Sequence, residues 1–119
     1  MFATLNIKYM TNNKTEQFNK QQKEFSAIAK ALSHPARIAI IQLLAEKKEI
    51  KTGNISDDLP IARTTVSQHL KILKNAGIIS GTIDGLKIHY CLDMKKIRKI
   101  NNCFDKWFSE IITDYKCKC

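Results

Sequence analysis

Between Pro60 and the Asn75-Ala76-Gly77 triplet, the apolar residues Val66, Leu70 and Leu73 recur at spacings of four and three. At about 100° per residue they fall on one stripe of a helix, with Ala62 beside them. The opposite face then collects Thr64, Ser67, Gln68 and Lys71. Serine and threonine are poor helix formers, and a face that only had to be wet would favour Glu and Lys. Hydroxyls and an amide gathered on one side are groups suited to hydrogen-bonding a partner. Asn75, Ala76 and Gly77 close the helix, since a glycine just past the last turn takes the left-handed conformation without a Cβ clash.

This helix has a short neighbour in the sequence. Ile55 and Leu59 form an i, i+4 apolar pair, Thr52 or Asn54 can cap, and Pro60 terminates, which predicts a helix near Gly53 to Leu59. Two helices joined by so tight a turn predict a helix-turn-helix, whose second helix lays its exposed face in the DNA major groove. Arg63, Thr64, Thr65, Ser67, Gln68 and Lys71 are then the candidate DNA contacts. Glutamine takes adenine bidentately, arginine takes guanine, and hydroxyls accept several partners.

Charge agrees with a polyanionic partner. The 119 residues carry 20 Lys plus Arg against 11 Asp plus Glu, a formal charge of +9. That length predicts one domain whose core suffices without staples.

After the helix, the β-rich runs Ile78–Ile83 and Leu86–Leu92 flank Asp84-Gly85, a type I′ hairpin signal. Leu86, Ile88 and Tyr90 alternate onto one face, and Lys87, His89 and Cys91 onto the other. A hairpin directly after a recognition helix is a wing, on which Lys87 and His89 are candidates for phosphate contact.

Upstream, a helical pattern from Thr15 places Phe18, Phe25, Ile28, Ala29 and Leu32 on one face. It stops at Ser33-His34-Pro35, where Ser33 is a good cap and Pro35 is tolerated only in a first turn. A second helix over about 35–46 has Ile38, Ile41 and Leu44 or Ala45 as its stripe, and the polar break KKEIKTGN follows. His34 reads as a cap-region residue. His69, about 60° from Val66 on the wheel, reads as a packed or hydrogen-bonded residue at the edge of the buried face.

From Asp93, a plausible cap, the residues Ile97, Ile100, Phe104, Trp107 or Phe108, Ile111 and Tyr115 recur at spacings of three and four. So much apolar surface exceeds what a small chain covers internally. The expected architecture is mainly α with a small β-hairpin: a winged helix-turn-helix whose first and last helices form a dimer interface. The expected divisions are a flexible arm over 1–14, the winged domain with its dimerisation helices over 15–115, and a cysteine-bearing tail over 116–119. Met10 is an alternative start.

The opening MFATLNIKYM lacks the basic and long apolar regions of an export signal, and IAIIQLLA at 38–45 is too short to span a bilayer. A cytoplasmic protein with no membrane partner is expected, with Cys91, Cys103, Cys117 and Cys119 reduced.

The stretch from about Phe25 to Ile112 resembles the ArsR/SmtB family of metal-responsive winged-helix repressors. AKALSHPARIAIIQLLA at 29–45, TTVSQHLKILKNAGII at 64–79 and GTIDGLKIHYCL at 81–92 carry the resemblance. It implies a homodimeric repressor that binds an inverted-repeat operator and releases it when an inducer, often a thiophilic ion, occupies the protein. The Cys-Val-Cys trio of arsenic-sensing members is replaced by Lys51, Thr52 and Gly53, and no histidine follows His89 to make the last-helix site of zinc sensors.

No cofactor is required on this reading, and arsenite or another thiophilic metal is the candidate inducer. The candidate thiolate ligands are Cys91, Cys103, Cys117 and Cys119. Lys116 and Lys118 favour thiolate at Cys117 and Cys119, and so both soft-ion binding and oxidation. The alternative is a redox- or sulfur-responsive, or ligand-independent, winged-helix DNA-binding protein. A protein-docking module would need neither the positive charge nor the hydroxyl and amide face. Catalysis is not expected: no phosphate loop, nucleophile elbow or HExxH is present, and Asp57 and Asp58 point about 100° apart on a helix.

Overall fold

The computed structural model describes residues 17–51, 55–85 and 87–116. Among them the order is α1 (Lys20–Ala31), α2 (Pro35–Lys47), β1 (Ile50–Lys51), a 3₁₀ turn (Ser56–Asp58), α3 (Arg63–Asn75), β2 (Ile79–Asp84), β3 (Lys87–Leu92) and α4 (Met94–Asp114). The expected arm over 1–14 and the residues Cys117 and Cys119 lie outside the described residues. No described helix is long and apolar enough to cross a membrane.

Helix α1 starts later than the Thr15 that periodicity suggests, because Asn19 caps it. Its side chain accepts from Gln22 N at 2.8 Å, while Gln22 Oε1 accepts from Asn19 N at 2.9 Å, a reciprocal capping box. Ile28 and Ala31 are buried, whereas Ala29, expected on that face, is exposed. The cap of α2 also differs from expectation. His34, not Ser33, is the N-cap, its Nδ1 accepting from Ala36 N at 3.0 Å. Ser33 Oγ instead donates back to Lys30 O at 2.7 Å.

The buried stripe of α2 is Ala36, Arg37, Ile40 and Leu44, with Ile41 half-buried. Ile38 and Ala45, expected inside, are exposed. An arginine on the inner face displaces the apparent stripe by one position.

Ile40, Leu44, Ile55, Leu73 and Ile78 are the largest fully buried side chains and form the centre of the core. Burial of each contributes about 1.5–3 kcal/mol against exposure. The expected helix near Gly53 to Leu59 is only the 3₁₀ turn within the described residues. Its end is set by Pro60, which drives Leu59 out of the helical region to φ −126°, ψ 141°. Ile55 and Leu59 still pack inward as the i, i+4 pair.

Strands β2 and β3 pair antiparallel from Ile79↔Leu92 to Asp84↔Lys87. In that register Asp84 is still a strand residue, paired with Lys87, so the turn begins at Gly85 and not at the expected Asp84. Gly85 supplies the positive φ, 63°, that such a loop demands. Leu86 lies outside the described residues. Strand β1 adds to the other edge of β3 through Ile50↔Tyr90 and Lys51↔His89, so the sheet order is β1-β3-β2.

Helix α4 is capped as its sequence suggests, Asp93 Oδ1 accepting from Lys96 N at 3.1 Å. Ile97 and Ile100 pack on the core. Further along, Phe104, Trp107 and Phe108 enclose Phe25 of α1.

Candidate nucleic-acid interface

Helix α3 is positioned by what it buries. Val66, His69, Leu70 and Leu73 face the core, as the spacing of its apolar residues requires. Its C-terminus is fixed by a Schellman closure: Gly77 N donates to Lys74 O and Ile78 N to Leu73 O, both at 3.0 Å, with Gly77 at φ 76°. Ile78 is itself fully buried, so the closure locks the helix end into the core. The N-terminus has no side-chain cap, since Ala62 holds that place.

The outer face of α3 is left to solvent. Arg63, Thr64, Ser67, Gln68 and Lys71 are exposed, and Thr65 is half-buried at the margin. Ser67 Oγ donates to Arg63 O at 3.1 Å, which leaves its lone pairs outward as acceptors. The helix holds Arg63, Lys71 and Lys74 and no carboxylate. With the N-terminal end of the helix dipole added, this surface attracts anions.

The wing lies beside it. Lys87 opens β3 next to the hairpin loop and is exposed. His89 is half-buried, with Nδ1 3.4 Å from Glu49 Oε2. A carboxylate at that distance competes with phosphate for the ring. His89, Cys91, Glu49, Thr82 and Ile83 line a shallow depression on the sheet.

Of the candidate thiols, Cys91 is half-buried and sits 3.2 Å from Ser80 Oγ, and Cys103 is half-buried on α4. Among the described residues no three His, Cys, Asp or Glu side chains are grouped so as to hold a metal ion.

His69 occupies the packed position expected of it, at 7% exposure. Its Nδ1 lies 2.9 Å from Nη1 of Arg37, which is 8% exposed. Arg37 also donates from Nε to Ala31 O at 2.6 Å and from Nη2 to Lys30 O at 3.3 Å. Burial, then the neighbouring His34 and Arg37, lower the His69 pKa below the usual histidine value. Arg37 is the residue that sequence reasoning missed. Its signal was the helical spacing 37, 40, 41, 44, which is apolar apart from the arginine.

The family model for bacterial regulatory proteins of the arsR family matches residues 34–80. The HTH-type transcriptional regulator Rv2034 of Mycobacterium tuberculosis is 33% identical over 71% of this chain and 78% of its own length. A biofilm growth-associated repressor of Xylella fastidiosa is 30% identical over 73% of this chain and 75% of its own. The crystal structure of M. tuberculosis Rv0081 superimposes with a TM-score of 0.61 at 28% identity, covering 82% of this chain and 97% of that one.

Proposed function

The chain belongs to the ArsR family of bacterial regulatory proteins, and from that premise we propose that it is a homodimeric repressor which reads operator DNA with α3. The observation that carries this reading is the outer face of α3, where hydroxyl, amide and cationic side chains stand exposed with no carboxylate among them. Arg63 and Gln68 read base edges, Thr64, Thr65 and Ser67 bond bases or phosphates, and Lys71 neutralises phosphate. Lys87, with His89 behind it, reaches the backbone from the wing.

A two-fold dimer sets two such helices in successive major grooves. The operator is then an inverted repeat with half-site centres about 10 bp or a multiple apart. The outer face of α4 supports the assembly: Phe108, Ile111, Ile112 and Tyr115 are exposed at 49%, 42%, 75% and 64%. A water-facing apolar stripe of this kind marks an interface.

The inducer in this proposal is a thiophilic metal or metalloid, arsenite first and an oxidant second, captured by thiolates drawn from Cys91, Cys103, Cys117 and Cys119. A gel-shift with a duplex from upstream of the protein's own gene, repeated with arsenite, cadmium, zinc and an oxidant, tests both parts. Retention of that duplex over a scrambled one, and its release by a thiophilic ion, is the expected result. Equal retention of any duplex sinks the operator reading, and indifference to every additive sinks the sensing.

A further inference from the structure

Arg37 and His69 are the buried polar or charged side chains of the described core, and they meet beneath the DNA-facing helix. A guanidinium only donates, so His69 Nδ1 must accept, and the ring carries its proton on Nε2. That Nε2 is buried without a hydrogen-bond partner. An orphaned buried donor is costly, and here the ring is held in place from two sides. Arg37 grips Nδ1 at 2.9 Å, and the His34 ring lies against it with centroids 4.4 Å apart.

The same guanidinium is anchored to the last turn of α1 through the carbonyls of Lys30 and Ala31. One side chain thus fixes the rotation of α3 relative to the end of α1. His69 is adjacent in sequence to Gln68, and a turn of α3 about its axis carries Ser67 and Gln68 with it. Base-edge hydrogen bonds tolerate little of that displacement.

We propose that Arg37 is a positioning residue for DNA binding, holding α3 in register with α1 through neutral His69, and that a proton on His69 releases the hold. This rests on the operator reading above. Protonation at Nδ1 would turn the acceptor into a donor and set two cations face to face. The charged and titratable groups acting on His69 are His34 and Arg37, at the start of α2, while α1 offers backbone carbonyls to the arginine. No carboxylate stands among them to compensate an imidazolium.

The test uses the full chain, the upstream duplex and two variants. His69→Asn keeps an oxygen where Nδ1 was, so it still accepts from Arg37 but does not titrate. Arg37→Gln removes the fork. At about pH 7.5 His69→Asn should bind DNA within about threefold of the parent, and Arg37→Gln at least about tenfold more weakly, since the bonds to His69, Ala31 and Lys30 all leave with the guanidinium. On lowering to about pH 5.5 the parent should lose affinity relative to both variants. Parallel pH profiles for parent and His69→Asn, or parental affinity in Arg37→Gln, overturn the proposal. If the parent retains no duplex over a scrambled one, the operator reading fails by itself. The hold is then decided by amide hydrogen exchange over residues 63–75: relative to the slower intrinsic exchange in acid, protection should fall in the parent and not in His69→Asn, and an equal fall in both also overturns it.

Discussion

The Phe25 ring lies on that of Phe104 with centroids 4.3 Å apart and planes 14° from parallel. This stack joins α1 to α4, and Trp107 and Phe108 close around it at centroid distances of 4.7 Å and 6.2 Å from Phe25. Part of the apolar stripe of α4 is therefore used within the chain, and the exposed part begins at Phe108.

The two parts predict different outcomes. Ile111→Glu should yield monomers that keep their fold, seen as a halved mass in sedimentation at micromolar concentration. Phe104→Ala should instead lower stability by about 2–3 kcal/mol in urea, the loss of a half-buried aromatic and its stack. A dimeric Ile111→Glu would place the interface elsewhere.

On DNA, Gln68→Ala and Arg63→Ala should each cost about 1–3 kcal/mol of operator affinity and relax discrimination at one base position. Lys87→Ala should weaken all DNA alike and lower the salt slope by about one. Competition titrations with operator and scrambled duplex separate the two classes. Unaltered discrimination in both α3 variants would refute the docking.

The elements that could be read from the sequence are those in which local chemistry and packing agree. Val66, Leu70 and Leu73 define α3 because their spacing of four and three holds although the buried His69 shares their face, and Asp93 caps α4 as its position suggests. Arg37 misled because a buried arginine is invisible to an apolar pattern; only its partners, the carbonyls of Lys30 and Ala31 and the ring of His69, make the position tolerable. Strand β1 escaped because Ile50 and Lys51 are too short a run to alternate, and their pairing comes from β3, forty residues on. The outward face of α3 was legible as chemistry, and its wing neighbour His89 less so, since the Glu49 contact is made across the sheet.

Acid should destabilise the fold through His69. Its pKa is lowered by burial, then by His34 and Arg37, so the unfolded chain takes up this proton at higher pH than the native one. The stabilisation is fully present above the usual histidine value and declines as pH falls below it, until the native ring also protonates. Urea midpoints should therefore drop between about pH 7.5 and about pH 5.5 more steeply in the parent than in His69→Asn. Equal slopes would show that His69 does not titrate with folding.

Backbone strain gives a paired prediction. Lys48 sits at φ 71°, ψ −48°, the centre of a γ-turn in which Glu49 N donates to Lys47 O at 2.8 Å. That conformation is rare for a residue with a Cβ, so Lys48→Gly should raise stability by up to about 1 kcal/mol despite the added chain entropy. Beyond its chain neighbours, the nearest atoms that a Cβ on Gly77, at φ 76°, would meet belong to the Lys96 side chain at 3.9 Å. Gly77→Ala should thus cost about 1 kcal/mol through conformation alone. Urea unfolding of the two variants should move in opposite directions.

The thiol prediction follows from where the cysteines stand. Helix α4 ends at Asp114 with Tyr115 extended, so Cys103 lies within the helix while Cys117 and Cys119 follow it outside the described residues. Cys91 and Cys103 belong to no cluster of metal-binding side chains among the described residues. We expect a soft-ion site drawing on sulfur to use Cys117 and Cys119, whose sequence neighbours Lys116 and Lys118 favour thiolate. A ligand from Cys91 would add leverage, since Cys91 pairs with Ser80 across the wing and precedes α4 by three residues. Cys117→Ser with Cys119→Ser should abolish operator release by arsenite, Cys91→Ser should weaken it, and Cys103→Ser should leave it intact. Operator DNA should in turn lower arsenite affinity by the same factor by which arsenite lowers DNA affinity, because linkage is reciprocal. Titration of the reduced protein with arsenite and cadmium, with and without operator, measures both factors. A parental response from both the tail double variant and Cys91→Ser would remove sulfur from the mechanism.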